Sequence, residues 1–311
     1  MKLNLLSTMT SASRALLIAT LALVSIAAPN VQGANFFDNT ISTVNLGNAS
    51  GGSTLGHKSW AIFALSGGVT ITDSVADNSP GGYDVLGNVG LGNPGSLTMT
   101  NSWIKGGVYR ANATQVVPPS GSGFYTGLPV TDATYVNQAV TDANNAANAA
   151  AVLARVSAGL SVTGGVPASV LTNNTTAISL TGPGSISGAS GQTYVLNLAD
   201  LILSGATAAL TLNGSSTTNY VINVNRFMTL SSGAKIVLGG GLTEANVLFN
   251  VKSFSTQYDV TLSGGSEVHG IILAPTRTVR ETGASKIIGE VIAKGVSLSG
   301  ASKVINPFVS N

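Results

Sequence analysis

The sequence predicts a mostly β protein: a parallel β-solenoid (β-helix) with one long Ala-rich α-helix packed along it. Three observations support this prediction. A Gly-Ala-Ser-Lys motif recurs 17 residues apart, starting at Gly283 and at Gly300, and a related segment contains Gly265, which is 18 residues before Gly283. Short apolar segments separated by turn residues fill both halves of the chain, and an Ala-rich segment lies between the halves. A period this short, without a helical face, is typical of one solenoid coil per repeat.

The first 33 residues are predicted to be a secretory signal peptide. Lys2 and Arg14 supply positive charge, residues 15–28 form an apolar core, and small residues precede a cleavage site before Ala34. The apolar core has 14 residues, which is shorter than the ~20 residues that a transmembrane helix needs. No later segment approaches a spanning length. We therefore expect an exported protein, secreted or held at the cell surface, with no membrane insertion after the signal is removed.

The packed region is predicted to begin at Trp60, after a polar, Gly-rich lead-in. Strand-like segments follow, which are β-branched or alternate in polarity and are bounded by Gly, Asn, Asp or Pro. These segments are residues 60–65, 69–72, 83–86, 97–100 and 104–109. A stretch rich in Pro, Ser and Gly then predicts a loop at residues 117–123.

Residues 131–158 are predicted to form one helix. Thr131 or Asp132 can cap its N-terminus, and Gly159 can close its C-terminus. One face is mostly alanine at helical spacing, which permits close approach to a flat sheet. Its members are Val136, Val140, Ala143, Ala147, Ala150 and Leu153 with Ala154. At ~1.5 Å per residue the helix would be roughly 42 Å long and would cross about nine coils stacked ~4.8 Å apart. A free Ala-rich linker is the alternative interpretation.

Strand-like segments resume after the helix and continue to the end of the chain. They are residues 193–198, 201–204, 209–212, 220–224, 228–230, 235–238, 246–251 and 270–275. Turns this frequent suit either a β-solenoid or a β-sandwich. The explicit repeat and the lengthwise helix favour the solenoid, so we expect a single solenoid domain over residues 34–311.

Charge and cysteine content narrow the classes of function. Only 8% of the residues are charged. Of the 14 basic residues, Lys2 and Arg14 lie in the signal, which leaves 12 basic against 12 acidic residues and no net charge. No basic stripe is available for nucleic acid. A hydrophobic content of 44% supports a packed core. The chain has no cysteine, so no disulfide bond stabilises it. Stability is expected to come from strand ladders and stacking.

Metal-binding patterns are weak. The two histidines, His57 and His269, have no metal-ligand spacing to another ligand. One local acidic group could hold Ca²⁺ with backbone carbonyls, but capping of turns is the simpler interpretation. Its members are Asp73, Asp77 and Asp84. We expect no metal and no cofactor.

An enzyme is not expected, although many β-solenoids cleave polysaccharides. Such chemistry requires converging carboxylates, or a base with charge stabilisers. Asp259 and Glu244 are the nearest carboxylates, and Arg277 and Arg280 are the nearest cations. Nothing in the sequence brings these four residues together.

Two Thr-x-Thr pairs contain the candidate binding residues, which are Thr70, Thr72, Thr98 and Thr100. Alternate residues of a strand share a face, so both threonines of a pair point the same way. Pairs stacked in adjacent coils would form a flat hydroxyl lattice, as an ice-binding face requires. A third pair, Thr276 with Thr278, lies far off beside Arg277. Threonine is also common in strands through propensity alone.

Several segments resemble the bacterial choice-of-anchor A domains, surface proteins grouped with collagen-binding-type adhesins. The resemblance is best over residues 194–308 and is carried by residues 246–251, 270–275, 289–294 and 306–308. The repeat, together with a long helix between two solenoid portions, is also similar to the bacterial ice-binding solenoid domain. That second resemblance implies a β-solenoid with a helix packed alongside.

The leading functional prediction is a non-enzymatic surface or extracellular-matrix protein that acts in adhesion. Its uncharged Ser-, Thr- and Asn-rich faces would bind an extracellular protein or a glycan. An ice-binding protein that uses the Thr-x-Thr rows is the first alternative, and a polysaccharide-cleaving β-helix enzyme is the second. Lys286 and Lys303 are expected to form a charged row that would suit ice poorly. Exposed end strands also leave end-to-end self-assembly possible.

Overall fold

The structure is a computed structural model that describes Ile41, Val44 and residues 60–72, 83–115, 124–126, 128–252 and 259–308. The predicted signal peptide, residues 1–33, lies outside the described residues. Within the described residues the fold is mostly β with one α-helix, as predicted. No described helix is long and apolar enough to cross a membrane.

The first half of the described chain contains nine short strands. They are β1 Trp60–Ala64, β2 Val69–Thr72, β3 Val85–Leu86, β4 Asn88–Leu91, β5 Leu97–Thr100, β6 Trp103–Lys105, β7 Val108–Arg110, β8 Phe124–Tyr125 and β9 Val130–Thr131. The helix α1 follows at Ala133–Val152, and short 3-10 turns lie at Ala113–Gln115, Ala168–Leu171 and Glu244–Asn246.

The second half contains thirteen strands, some of them much longer. They are β10 Ser161–Gly164, β11 Thr176–Leu180, β12 Pro183–Ser187, β13 Thr193–Ser204, β14 Ala209–Asn213, β15 Asn219–Val224, β16 Met228–Ser231, β17 Lys235–Gly239, β18 Val247–Val251, β19 Val260–Leu262, β20 Glu267–Glu281, β21 Lys286–Ser299 and β22 Lys303–Ile305.

The strands form three ladders, which are three faces of a solenoid, and nearly all pairings are parallel. The helix face runs through β9, β7, β4, β1, the middle of β21 and β20, β18, β15 and the start of β13. The hydroxyl face runs through β5, β2, the ends of β21 and β20, β19, β16, the end of β13 and β11. The charged face runs through β8, β6, β3, β22, the starts of β21 and β20, β17, β14, β12 and β10.

The order of the coils along the stack differs from their order in the sequence. The coil of β1 to β3 stacks directly on the C-terminal coil of β21 and β22, with Ile62 paired to Val291 and Val69 paired to Val296. The N-terminal portion therefore extends the C-terminal end of the stack. At the opposite end β10 pairs antiparallel with β12, so the parallel charged ladder ends there.

The helix α1 packs on the helix face through its alanine side, as predicted. Asp132 is the N-cap, and its side chain accepts a hydrogen bond from the Tyr135 backbone N–H at 2.9 Å. The buried residues of α1 are Tyr135, Val136, Ala139, Ala143, Ala146, Ala147 and Ala150. The free-linker alternative does not hold.

The helix ends six residues before the predicted boundary. Leu153 is already extended, and Val156 forms an antiparallel bridge with Val195 that contains two backbone hydrogen bonds of 3.0 Å. Pairing with the edge of β13 thus replaces helical hydrogen bonds that the local sequence favours. Twenty residues at ~1.5 Å give roughly 30 Å, about six coils rather than nine.

An asparagine ladder joins α1 to the sheet. Asn197, Asn223 and Asn250 stack in register on three successive strands. The Asn223 amide donates to Asn197 Oδ1 and to the Ala150 carbonyl, each at 2.8 Å. The Asn250 amide donates to Asn223 Oδ1 at 2.8 Å and to the Ala147 carbonyl at 3.1 Å. The side-chain N–H groups of Asn223 and Asn250 are satisfied in this way, whereas Asn250 Oδ1 at the end of the ladder has no hydrogen-bond partner among the described residues. The bonds to the helix carbonyls fix α1 in register on the coils.

The Gly-Ala-Ser-Lys motif forms the corner between the hydroxyl face and the charged face. Gly283 and Ala284 both have left-handed backbone, with φ of 64° and 62°. The buried Ser285 then donates to the Thr282 carbonyl at 2.8 Å and closes the turn. The second copy of the motif repeats this geometry, because Ser302 donates to the Ser299 carbonyl at 2.8 Å. The repeat is therefore a corner turn that brings the chain into the next ladder.

Candidate functional site

The hydroxyl face is built from eight triplets, each with an inward central residue and two outward neighbours. The strand period of two residues places the first and third residue of each triplet on the outside. The first residues form column A, which in spatial order is Thr98, Thr70, Ser297, Arg280, Thr261, Thr229, Ile202 and Ser179. The third residues form column B, which is Thr100, Thr72, Ser299, Thr282, Ser263, Ser231, Ser204 and Thr181.

The structure brings the four predicted threonines together. Thr70 pairs in register with Thr98, and Thr72 pairs with Thr100. Thr70, Thr72 and Thr98 are exposed, and Thr100 is half-buried. Stacked strands lie ~4.8 Å apart and alternate residues ~6.7 Å apart, so these hydroxyls occupy four neighbouring points of a flat grid.

Most of this grid is not among the residues predicted from the sequence. Column B carries a hydroxyl at every one of its eight positions, and column A carries one at six. Serines provide much of it, for example Ser204 and Ser231, whose hydroxyls are 3.1 Å apart. The available signal was a hydroxyl residue placed directly after an apolar one, as in Leu203-Ser204, Leu230-Ser231 and Leu262-Ser263. These dipeptides are unequally spaced along the chain, so the sequence does not show that they stack in adjacent coils.

Two residues interrupt column A. Ile202 places an apolar side chain between Ser179 and Thr229. Arg280 lies between Thr261 and Ser297, and its Nε donates to Asp259 Oδ2 at 2.5 Å. The structure thus joins Asp259 and Arg280, which the sequence alone does not connect.

The third threonine pair does not belong to the grid. Thr278 lies two residues before Arg280 of column A and pairs with Gly295. The backbone N–H of Thr278 donates to Asp259 Oδ1 at 3.3 Å. Thr276 is exposed near the corner with the helix face, and Arg277 is buried, with its guanidinium donating to the Asn225 carbonyl at 3.3 Å.

Lys286 and Lys303 do stack in register, as predicted, but on the charged face. The row continues through Glu267, which pairs with Lys286, to Lys235. The distance from Lys286 Nζ to the Glu267 carboxylate is 3.9 Å. Because the threonine rows lie on another face, the lysine row does not count against binding there.

His269 on the charged face lies between two carboxylates. Its Nδ1 is 2.8 Å from Glu244 and its Nε2 is 2.9 Å from Glu267. The hydrogen bond to Glu244 raises the pKa of His269 despite its burial, and Glu267 adds to the effect. Burial alone would raise the pKa of Glu267, but the hydrogen bond and charge of His269, with Lys235 and Lys286, lower it. The cluster ties the Glu244 turn to β20.

The other candidate residues are scattered. Asp84 is buried and accepts a hydrogen bond from the Trp103 backbone N–H at 2.7 Å, so it links two adjacent coils. Asp73, Asp77 and His57 lie outside the described residues. Within the part of the chain that the structure describes, no three His, Cys, Asp or Glu side chains are grouped as a metal site. Glu244 and Asp259 occupy different faces and form separate ion pairs.

Comparison with known protein families gives a match that spans most of the chain. A family model described as "Putative Ice-binding-like adhesive domain" matches residues 46–304. No curated protein matches the chain. The choice-of-anchor A resemblance is not reproduced by this family model.

Several solved structures are similar at low identity. An ice-binding protein from Arctic yeast (LeIBP) is 20% identical with a TM-score of 0.48, covering 81% of this chain and 92% of that chain. One from an Antarctic bacterium, Flavobacteriaceae, is 19% identical with a TM-score of 0.49, covering 81% and 48%. One from the Antarctic ascomycete Antarctomyces psychrotrophicus is 19% identical with a TM-score of 0.45, covering 82% and 96%.

Proposed function

The chain belongs to the family of ice-binding-like adhesive domains, and from this premise we propose that it binds an extended surface through its hydroxyl face. Membership of an adhesive-domain family agrees with the prediction that the chain is not an enzyme. The observation that carries the proposal is column B, in which all eight positions carry a hydroxyl residue and none is charged. Its members Thr100, Thr72 and Ser299 pair in register, and so do Ser231 and Ser204. Seven strand spacings of ~4.8 Å make this row roughly 34 Å long.

Adhesion to an extracellular protein or glycan is the function that the whole face supports best. A Ser or Thr hydroxyl both donates and accepts hydrogen bonds, so the face can bind the hydroxyl and amide groups of a polymer. The exposed Arg280 with Asp259 adds an ion pair within the same plane, which a polar biological surface tolerates. We also propose that the N-terminal signal exports the protein, since an adhesin of this kind acts outside the cell.

Ice is the alternative, because column B alone is regular and uncharged. Arg280 and Ile202 in column A argue against it, since they break the regular hydroxyl grid. Half of column B is serine, which lacks the methyl group that threonine adds. These features make the face less uniform than the threonine lattice expected from the sequence.

A binding screen with the purified mature chain tests both functions. The arms are immobilised collagen, insoluble glycans such as cellulose and chitin, the surface of the producing cells, and ice growth and recrystallisation. We expect retention on at least one of the biological surfaces, with unaltered ice growth. Altered ice growth without retention would favour the ice alternative. No retention and no effect on ice would contradict the proposed function.

A further inference from the structure

Arg280 is the cationic residue within the two hydroxyl columns. It replaces a hydroxyl residue in column A, with Thr261 and Ser297 as its neighbours in register. Its side chain is 53% exposed. In column B, Thr282 follows two residues later on the same outward side of the chain. A guanidinium thus lies at the centre of a plane of hydroxyl groups.

The guanidinium is held on one side and free on the other. Its Nε donates to Asp259 Oδ2, and Asp259 Oδ1 accepts from the Thr278 backbone N–H at 3.3 Å, which fixes the carboxylate to the sheet. Within the described residues, Nη1 and Nη2 of Arg280 have no hydrogen-bond partner. Arg226 differs, because both its Nε and its Nη2 bind Asp200, at 3.1 and 2.5 Å.

A positioned guanidinium with free terminal N–H groups is suited to an anionic group. The planar fork donates two parallel hydrogen bonds to the oxygens of a carboxylate or a sulfate, and these charge-assisted bonds are among the stronger ones. The surrounding hydroxyls suit the hydroxyl groups of sugar rings. Repetition of hydroxyls along the stack allows a long chain to bind at many points, which raises its avidity.

We propose that the hydroxyl face binds an acidic polysaccharide, with Arg280 anchoring a carboxylate or sulfate group of the polymer. Columns A and B bind the sugar hydroxyls on either side of that anchor. This inference rests on the proposed function and names its partner by chemical class. Asp259 is a positioning residue, since it orients Arg280 and its own oxygens are already engaged.

The test measures binding of the mature protein to immobilised polygalacturonate, dextran sulfate and neutral dextran. Arg280→Ser restores a hydroxyl in column A, and Arg280→Lys keeps the charge without the fork. Lys235→Ser on the charged face is the matched control, because it removes the same charge from an exposed position outside the columns. A thermal melt of each variant confirms that it is folded.

We expect the wild type to bind at least one acidic polymer more tightly than dextran. Arg280→Ser should weaken that binding by about tenfold or more, Arg280→Lys by less, and Lys235→Ser by little. A preference for polygalacturonate or for dextran sulfate would identify the anchored group. Equal binding of the acidic polymers by the wild type and a folded Arg280→Ser would overturn the inference and leave the proposed function intact. Failure of the wild type on every polymer, with retention on another surface, would also overturn the inference alone.

Discussion

Glu281 places a carboxyl group in the apolar interior beneath the hydroxyl face. It is the central residue of its triplet, fully buried, and it stacks between Leu262 and Leu298. Neither carboxyl oxygen has a hydrogen-bond partner. Burial raises the pKa of Glu281 well above its ordinary value, because the charged form is poorly solvated there. The folded protein therefore holds this side chain protonated under conditions in which the unfolded chain ionises it.

Glu281 makes the fold less stable as the pH rises. Below the pKa of an unfolded glutamate both states are protonated, and the stability is fully present. Above it the folded state binds the extra proton, so the free energy of unfolding falls by about 1.4 kcal/mol per pH unit until the folded pKa is reached. Glu281→Gln should remove this component. Urea unfolding from pH 4.5 to 8 measures it.

The comparison with Glu281→Gln isolates one group among several that titrate. His269, with its raised pKa, also stabilises at low pH and loses that contribution as the pH rises through its folded pKa. Glu267 has a lowered pKa, so it stabilises the fold at higher pH and loses that contribution as the pH falls through its folded pKa. Both groups are present in the variant as well, so they cancel in the difference. Parallel pH profiles of the wild type and the variant would contradict the assignment.

Gly289 lies where β21 bends from the charged face into the helix face. Its φ is 136°, and a Cβ there would lie 2.1 Å from the Gly270 carbonyl oxygen. Gly289→Ala should therefore destabilise the protein by roughly 3 kcal/mol or more, or prevent folding. Gly182→Ala is the control, since a Cβ there would meet nothing within 4 Å, and it should change stability by less than about 0.5 kcal/mol. Urea unfolding of both variants checks this. Similar losses of stability in the two variants would contradict a specific requirement for glycine at the bend of β21.

At the scale of elements, strands and helix follow their sequence patterns, and their boundaries follow tertiary contacts. Residues 69–72 and 97–100 form the predicted strands because turn residues bound them on both sides. The helix begins at its predicted cap, but its end depends on the bridge between Val156 and Val195, which no local pattern reveals. Residues 193–204 form one strand rather than two, because β13 bends from one ladder into the next.

The alanine side of α1 sets its distance from the sheet. Ala147 is fully buried, and its carbonyl accepts from Asn250. Ala147→Leu would force the helix outward and break this contact, so we expect a loss of about 1–3 kcal/mol. Ala149→Leu places the same side chain in solvent and should be near neutral. Thermal or urea unfolding measures both variants, and a neutral Ala147→Leu would exclude close packing of α1.

At the scale of the whole molecule, the solenoid could be predicted from the repeat, but the order of its coils could not. The pairing of Val69 with Val296 joins residues that are distant in sequence, and no periodicity marks it. The same pairing places Thr70 beside Ser297 and Thr72 beside Ser299, which completes the hydroxyl columns. Four threonines could be found in the sequence, whereas the full face needed the three-dimensional register.

The most direct test asks whether the hydroxyl face is the surface that binds. Thr72→Lys with Ser299→Lys places two charges at paired positions of column B. Ser185→Lys with Thr211→Lys places the same charges at paired positions of the charged face. On whichever surface retains the wild type, we predict that the first double variant, still folded by thermal melt, loses retention and the second keeps it. Retention by the first variant with loss by the second would contradict the assignment of the binding face.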